Sequence, residues 1–236
     1  MVLNGRIYFG LGESKGTDIE MKKLVIFDLD GTLADTLDSI EKAANLVLDE
    51  FGYAPVERDK LRYFVGSGAK ELIRQCLVYR GGRAEDELDT VFARYQELFQ
   101  IYCMYHVKPY DGIVELLQAL KKNGIKIAVN TNKPHPRAVE VVEEIFGKDY
   151  FDCIIGQSEG RMRKPAPDGV FEILDELFVK KEDAIYAGDT KTDMQTGKSA
   201  GVFTVGVLWG FRERKELEEN NADAIIEYPM QLLEYI

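Results

Sequence analysis

From residue 113 to its end, the chain alternates between amphipathic segments of helix length and short apolar runs of strand length. An earlier apolar run, Leu24 to Phe27, is also of strand length and ends at a glycine-containing turn. The later predicted strands are 125–130, 153–155, 184–187, 202–207 and 224–226, and the predicted helices around them are 113–123, 137–146, 168–178, 193–200, 213–220 and 229–235. Strands that alternate with helices in this way form βαβ units with right-handed crossovers. The sequence therefore predicts an α/β fold with a doubly wound parallel sheet.

A purely helical stretch interrupts this alternation directly after the first strand. Its predicted helices, in which apolar residues recur every three or four positions, are 37–51, 69–80 and 85–105. No clear strand lies between them. The predicted organisation is therefore an α/β unit of residues 21–36 and 108–236 with an all-helical insert, or cap, of residues 37–107.

Residues 1–20 differ from the rest of the chain. They are rich in glycine and lack the charged start, the apolar run and the small-residue cleavage site of a signal peptide. We interpret them as a leader segment, disordered or left over from expression, and place the start of the fold at Met21. No apolar run approaches the length of a transmembrane helix.

The charge and the cysteines narrow the range of partners and compartments. A net charge of -11 argues against non-specific binding to nucleic acid or to an anionic membrane. An anionic substrate would need local cations or a metal ion. Cys76, Cys103 and Cys153 are widely separated and lack zinc-site spacing, so we expect free thiols in a reducing cytoplasm.

Polar residues follow four of the predicted strands, at or shortly beyond the carboxyl end of each. They are Asp28 and Asp30 after the first strand, Thr131, Asn132 and Lys133 after the second, Lys164 beyond the third, and Asp189 and Asp193 after the fourth. Taken singly, each could belong to a turn, a helix cap or the surface. Because the strand ends of a parallel sheet share one edge, where α/β proteins bind ligands, these residues can converge.

Such a set of side chains suits phosphoryl transfer. A carboxylate can attack phosphorus and form an aspartyl-phosphate, and Mg²⁺ bound by oxygen ligands can neutralise both the carboxylates and the phosphate. A lysine and a hydroxyl can hold the non-bridging oxygens, over which the transition state spreads charge. A second acid can protonate the leaving oxygen and then deprotonate the attacking water.

At these positions the sequence resembles the haloacid dehalogenase (HAD) superfamily. The resemblance rests on four ordered motifs, which are DLDGTL at 28–33, Thr131-Asn132, Lys164-Pro165 and GDTKTD at 188–193. It covers residues 22–236, and the helical insert resembles the C1 cap of that superfamily. Within the superfamily, the segments most similar to the phosphoglycolate phosphatase group are 65–69, 164–168 and 206–211.

The resemblance implies a role for each residue of the first three motifs. Asp28 is expected to be the nucleophile and a magnesium ligand. Asp30 is expected to be the general acid and base, and to bind magnesium through its backbone carbonyl. Thr131 and the backbone of Asn132 would bind the phosphoryl group, while Lys164 would stabilise the charge on it and on the nucleophile.

For the fourth motif, the resemblance implies that Asp189 ligates magnesium and that Asp193 supports the ion directly or through water. The aspartate at position 30 argues against the dehalogenase branch, whose chemistry needs neither that acid nor a metal. Residues of the insert are expected to select the substrate. The candidates are Gly66, Ser67, Gly68 and Lys70, with Arg62 and Arg74 as further cations for a substrate carboxylate.

The predicted function is that of a magnesium-dependent phosphatase acting through an aspartyl-phosphate on a small, phosphoglycolate-like metabolite. A phosphosugar mutase similar to β-phosphoglucomutase, a pyrophosphatase and a nucleotidase share the same core residues and stay open. A phospho-receiver signalling module would need neither the helical insert nor the GDxxxD segment. We expect a cytoplasmic monomer or homodimer with no nucleic-acid or membrane partner.

Overall fold

A six-stranded parallel sheet forms the centre of the protein, which is described here for residues 22–236 by a computed structural model. The strands of the chain are β1 (Leu24–Phe27), β2 (Ala34–Asp35), β3 (Lys108–Pro109), β4 (Lys126–Pro134), β5 (Cys153–Gln157), β6 (Ala184–Gly188), β7 (Phe203–Val207) and β8 (Ala224–Ile226). The sheet order is β5-β4-β1-β6-β7-β8, so β1 lies near the middle. The predicted leader, residues 1–20, lies outside the described residues.

Helices cover both faces of this sheet and build the insert. They are α1 (Leu37–Glu50), α2 (Arg58–Leu61), α3 (Ala69–Tyr79), α4 (Ala84–Tyr102), α5 (Ile113–Lys122), α6 (His135–Phe146), α7 (Asp168–Leu177), α8 (Lys191–Ala200) and α9 (Arg214–Glu219). Short 3-10 turns occupy Arg62–Phe64, Lys181–Asp183 and Pro229–Tyr235. The predicted α/β class with a parallel sheet is confirmed, although the last predicted helix is a 3-10 turn.

The central strand shows why the sheet is covered on both sides. Val25 and Phe27 belong to one hydrophobic cluster, whereas Leu24 and Ile26 belong to another. Successive side chains of a strand point to opposite faces, so a strand of four buried apolar residues needs helices above and below it. Polar side chains that follow this strand can therefore lie only at the end of the sheet.

The insert has a hydrophobic cluster of its own, formed by helices α1 to α4. Ala44, Leu77 and Val91 are fully buried in it. A two-stranded antiparallel ribbon joins the insert to the α/β unit, with Ala34 of β2 opposite Pro109 of β3. The ribbon is too short to leave a periodic pattern in the sequence, and it places the entry and exit of the insert side by side.

Strand β4 is longer than the sequence indicates. We expected residues 125–130 to form the strand and Thr131 to follow it, but pairing with β5 resumes at Pro134 opposite Gln157. The register shifts between Asn130 and Pro134. The polar residues of this motif therefore lie inside an irregular strand end. Across the described part of the chain, no helix is long and apolar enough to cross a membrane.

Candidate active site

The turn after β1 presents Asp28 at the edge of the sheet. The backbone N–H of Asp28 donates to the carbonyl of Ala187 in β6 (2.9 Å), and the N–H of Leu29 donates to Asp28 Oδ1 (2.7 Å). Gly31 has a φ of +89°, and a Cβ there would lie 2.5 Å from Asp189 Oδ2. The glycine of the motif is thus required both by its backbone conformation and by the close approach of a second acid.

Three buried aspartates converge at this edge. Carboxylate oxygens of Asp28, Asp189 and Asp193 all lie within 4.8 Å of one another. Asp189 is held by two donors, the hydroxyl of Thr32 to Oδ1 (3.1 Å) and the backbone N–H of Phe211 to Oδ2 (2.7 Å). The sequence places these acids at the ends of β1 and β6, which are neighbours in the sheet, so their convergence follows from the strand order.

Lys164 supplies the positive charge that contacts this acid cluster. Its Nζ lies 2.8 Å from Asp28 Oδ1 and 2.7 Å from Asp193 Oδ1, and its side chain is only 4% exposed. Asn132 fixes the backbone of this lysine, since its Oδ1 accepts from the N–H of Lys164 (2.9 Å) and its Nδ2 donates to the Lys164 carbonyl (3.2 Å). The second and third motifs are thus joined through a side-chain amide.

Asp193 is also the N-terminal anchor of helix α8. Its Oδ2 accepts from the N–H (3.0 Å) and the hydroxyl (2.6 Å) of Thr190, in a reciprocal capping arrangement. Its Oδ1 accepts from Lys164 and from the hydroxyl of Tyr186 at 3.4 Å. Through these bonds the carboxylate of Asp193 orients both the lysine and the start of the helix.

Burial and mutual repulsion dominate the electrostatics of the cluster. Burial, together with the charge of Asp193, raises the pKa of Asp28 to about 7, although Lys164 opposes the shift. Burial and the neighbouring acids raise the pKa of Asp189 well above its usual range. For Lys164, burial lowers the pKa, but the charges of Asp193 and Asp28 outweigh it and raise the pKa well above its usual value.

These residues fit a divalent cation with a preference for oxygen. The three buried carboxylates share one buried lysine, which pairs with Asp28 and Asp193, so the cluster is short of positive charge. Their oxygens are close enough to share one ion, and carboxylates are the ligands that Mg²⁺ prefers. The carboxylate of Asp30 lies outside the three-aspartate group.

Asp30 pairs instead with a lysine whose role the sequence does not indicate. Lys133 Nζ lies 2.7 Å from Asp30 Oδ1, and the two side chains are 3% and 15% exposed. The same Nζ lies 5.0 Å from the ring centre of Phe99 in the insert. In the sequence, only the position of Lys133 directly after Thr131-Asn132 indicates that it lies near the site. That it pairs with Asp30, about a hundred positions earlier, is visible only in the structure.

A cavity of about 220 Å³ separates the sheet edge from the insert. The α/β unit contributes the polar lining residues Asp28, Asp30, Thr131, Asn132, Lys133, Arg137 and Lys164. The insert contributes Ile40, Val65, Gly66, Gly68, Leu72, Phe92, Tyr95, Gln96, Phe99 and Gln100. The cavity thus has a charged wall that could hold a phosphate and a largely apolar wall that could contact the rest of a substrate.

The sequence profile of the haloacid dehalogenase-like hydrolases matches residues 25–207. The chain belongs to this family. A phosphoglycolate phosphatase of Rhodobacter capsulatus is 36% identical over 198 residues, which cover 82% of this chain and 87% of the relative. Phosphoglycolate phosphatase 1 of Pseudomonas aeruginosa is 30% identical over 217 residues, or 90% of this chain and 79% of the relative.

The fold of this HAD chain also matches solved structures over nearly its whole length. A haloacid dehalogenase-like family hydrolase from Streptococcus pneumoniae superposes with a TM-score of 0.82 and 25% identity. The match covers 92% of this chain and 98% of that one. The helical insert is thus part of the similarity, in agreement with the predicted cap.

Two of the predicted specificity residues lie at the cavity of this HAD fold. Gly66 and Gly68 line it, and the carbonyl of Gly66 accepts from Asn132 Nδ2 at 3.0 Å. A Cβ on Gly68 would lie 2.9 Å from the guanidinium of Arg163. The glycine-rich loop of the insert therefore rests directly on the edge of the sheet that carries Asn132.

The other predicted specificity residues lie elsewhere. Ser67 is not among the residues that line the cavity, and Lys70 pairs with Asp89 (2.6 Å) in a separate surface cleft. Arg74 lines the same cleft and pairs with Glu71 at 2.6 Å. The sequence identified α3 as a helix, but not which of its sides faces the cavity.

Proposed function

We propose that the protein is a magnesium-dependent phosphatase that hydrolyses a small phosphorylated metabolite through an aspartyl-phosphate on Asp28. One observation carries the proposal. Asp28 lines the cavity between the sheet edge and the insert, in contact with Lys164 and within 4.8 Å of the oxygens of Asp189 and Asp193. A buried nucleophile of this kind, with its charge only partly balanced, suits attack on a phosphoryl group bound together with a cation.

In the first step, a carboxylate oxygen of Asp28 attacks phosphorus. The new O–P bond forms while the bond from phosphorus to the leaving oxygen breaks, and Asp30 donates a proton to that oxygen. Lys133, 2.7 Å from Asp30, holds the acid on the side of the cavity where the leaving group would lie. The products are the aspartyl-phosphate and an alcohol, which leaves toward the insert.

In the second step, Asp30 accepts a proton from water, whose oxygen attacks the same phosphorus. The bond between phosphorus and the Asp28 oxygen breaks, which regenerates the carboxylate and releases inorganic phosphate. Asp30 thus acts as an acid and then as a base, as microscopic reversibility requires. The insert covers part of the cavity and so limits the access of bulk water to the phosphoenzyme.

The remaining motif residues stabilise the negative charge of the phosphoryl group and of the acids. Lys164, the hydroxyl of Thr131 and the backbone of Asn132 bind the non-bridging oxygens, over which the transition state spreads negative charge. Asp28, Asp189 and the backbone carbonyl of Asp30 would hold Mg²⁺, with Asp193 acting directly or through water. The ion supplies the positive charge that the three buried acids and a phosphate lack.

The volume of the cavity favours a small substrate. Its volume of about 220 Å³ lies below the range of roughly 300–1,000 Å³ that is usual for sites of drug-sized ligands. The relatives named phosphoglycolate phosphatases make phosphoglycolate the first compound to test.

The three buried cysteines are free, which supports the cytoplasm as the compartment. A monomer or homodimer without nucleic-acid or membrane partners stays our prediction.

The test is an assay of phosphate release by the purified protein with Mg²⁺. The panel contains phosphoglycolate, sugar phosphates, nucleoside monophosphates and pyrophosphate, each with and without excess EDTA. We expect metal-dependent release of phosphate from at least one small monoester. Interconversion of sugar phosphates without release of inorganic phosphate would show a mutase and overturn the phosphatase assignment. Rates of phosphate release that EDTA does not affect would contradict the metal assignment.

A further inference from the structure

The segment that follows β7 contacts both halves of the molecule. Trp209 Nε1 donates to the carbonyl of Thr32 at 2.9 Å, directly beside the nucleophile turn. Two residues later, the N–H of Phe211 donates to Asp189 Oδ2 at 2.7 Å. Residues 209–211 are therefore fixed to the α/β unit at two points of the acid-bearing edge.

The same segment reaches into the helical insert. The side chain of Phe211 is buried in the hydrophobic cluster of the insert, although the residue belongs to the α/β unit. Its carbonyl accepts from Arg62 Nε (3.0 Å) and Nη2 (2.9 Å). One residue thus carries a hydrogen bond to the acid cluster and an apolar contact with the insert.

Arg212 joins the two halves through three hydrogen bonds to the insert. Its guanidinium donates to the carbonyls of Arg62 (2.7 Å), Tyr63 (2.9 Å) and Val65 (2.8 Å), and Nε lies 3.3 Å from Glu216. The residue is only 8% exposed. A buried guanidinium needs partners for its donors, and most of its partners here are carbonyls of the insert. The guanidinium of Arg212 therefore keeps these carbonyl partners only while the insert rests on the sheet edge.

The carbonyls that Arg212 holds directly precede the glycine-rich loop. Gly66 follows Val65, and its carbonyl accepts from Asn132, which we place in the phosphate site. A Cβ at Gly66 would lie 3.4 Å from Thr190, at the start of α8. Fixing residues 62–65 therefore also fixes the position of the loop over the site.

We propose that Arg212 is a positioning residue that clamps residues 62–65 of the insert to the α/β unit and so holds the Gly66–Gly68 loop over the phosphate site. The role in the reaction rests on the proposed phosphatase function, whereas the clamp itself does not. Trp209 and Phe211 provide the fixed base from which the guanidinium extends.

The experiment combines hydrogen exchange with steady-state kinetics. Arg212→Ala is compared with Arg212→Lys and with Arg214→Ala, a matched control because Arg214 lies two residues away and pairs only with exposed acids among the contacts described. We expect Arg212→Ala to speed amide exchange in residues 62–68 while exchange in β1 stays slow. We also expect kcat/KM to fall by about tenfold or more, since misplaced contacts far from the chemistry are costly.

The conservative variant separates positioning from general stability. A lysine at position 212 keeps the charge but cannot reach three carbonyls at once, so we expect partial recovery of kcat/KM. Equal exchange of residues 62–68 in Arg212→Ala and Arg214→Ala would overturn the clamp. Faster exchange with kcat/KM within about twofold of the control would overturn the positioning role.

The outcomes stay separate from those of the proposed function. If Arg212→Ala fails to fold, Arg212→Lys provides both comparisons, and exchange equal to the control would again overturn the clamp. If the wild-type protein releases phosphate from no substrate, the proposed function and the positioning role fail together. The exchange measurement then still decides whether Arg212 fastens the insert.

Discussion

The two walls of the cavity differ in polarity, since one is mostly charged and the other mostly apolar. The wall on the α/β unit is polar and mostly charged, and its two acids pair with lysines from distant parts of the chain, Asp28 with Lys164 and Asp30 with Lys133. The wall on the insert is mostly apolar, with Phe92, Tyr95 and Phe99 on one helix. The charged residues Lys70 and Arg74 of the insert lie in a different cleft.

This difference separates reactivity from selectivity. The charged wall places Asp28 where burial opposes its ionisation, which costs folding free energy but keeps strong electrostatics near a phosphate. The apolar wall gains folding free energy from burial and distinguishes leaving groups mainly by shape. We therefore expect substitutions in the first wall to affect every substrate and substitutions in the second to affect substrates unequally.

The largest effect should follow from Asp28→Asn. An amide cannot attack phosphorus, so turnover should fall by at least about 10⁴-fold for all substrates, as in other enzymes that lose their nucleophile. Phosphate release is the measurement, and Asp111→Asn, at an exposed position, is the control. Appreciable residual turnover on any substrate would remove Asp28 as the nucleophile.

The next largest effect should come from Asp30→Asn, which removes the group that moves protons. We expect both formation and hydrolysis of the phosphoenzyme to slow by about 10²–10⁴-fold, the range usual for general acid and base catalysis. Rapid-quench measurement of the two steps tests this expectation. A variant that slows only one of them would show that Asp30 does not serve in both.

The charged wall should also make the metal-free protein sensitive to pH. The folded-state pKa of Asp28, about 7, lies above its ordinary value of 3.8, so the folded state holds this proton more tightly than the unfolded chain. The free energy of unfolding should therefore fall as the pH rises from about 4 to about 7, by up to roughly 1.4 kcal/mol per pH unit. Thermal unfolding in EDTA measures this slope, which Asp28→Asn should reduce.

Added Mg²⁺ should reverse part of this loss, because an ion that binds only the folded state stabilises it. At about a hundredfold excess over its dissociation constant, the gain is roughly 2.7 kcal/mol. Asp189→Asn should remove most of the shift in unfolding temperature, whereas Asp111→Asn should keep it. An equal shift in both variants would contradict the metal site.

The smallest effect should come from the apolar wall. Phe92→Ala should change the ratio of kcat/KM between a small and a larger substrate by about tenfold, since one apolar contact is worth roughly 1–3 kcal/mol. Lys70→Ala, in the separate cleft, should leave the ratio within about twofold. A larger change with Lys70→Ala than with Phe92→Ala would reverse our assignment of the selective wall.

The sequence predicted the charged wall better than the apolar one, for a topological reason. Strand ends of a parallel sheet lie at one edge, so the acids after β1 and β6 could be placed together before the structure was known. The side of a cap helix that faces the cavity depends on packing. Lys70 lies in the first turn of α3 but pairs with Asp89 of α4, which the helical period alone does not reveal.

The sequence also does not predict which side chains contact residues far away along the chain. Lys133 stood among the polar residues at a strand end, but its pairing with Asp30 depends on the irregular end of β4. Arg212 lies just beyond the GVLWGF segment, and its carbonyl partners are about 150 positions earlier in the chain. Neither position carries a periodic signal.

The ribbon of β2 and β3 has a consequence for how such proteins can diversify. Ala34 and Pro109 face each other across it, so the intervening chain leaves and rejoins the α/β unit at practically one point. Lengthening a loop with fixed ends costs only about 0.6 kcal/mol for each doubling. A different helical unit could therefore be joined at this point at little entropic cost. It would have to supply its own contacts for Phe211 and Asn132, which hold Asp189 and Lys164.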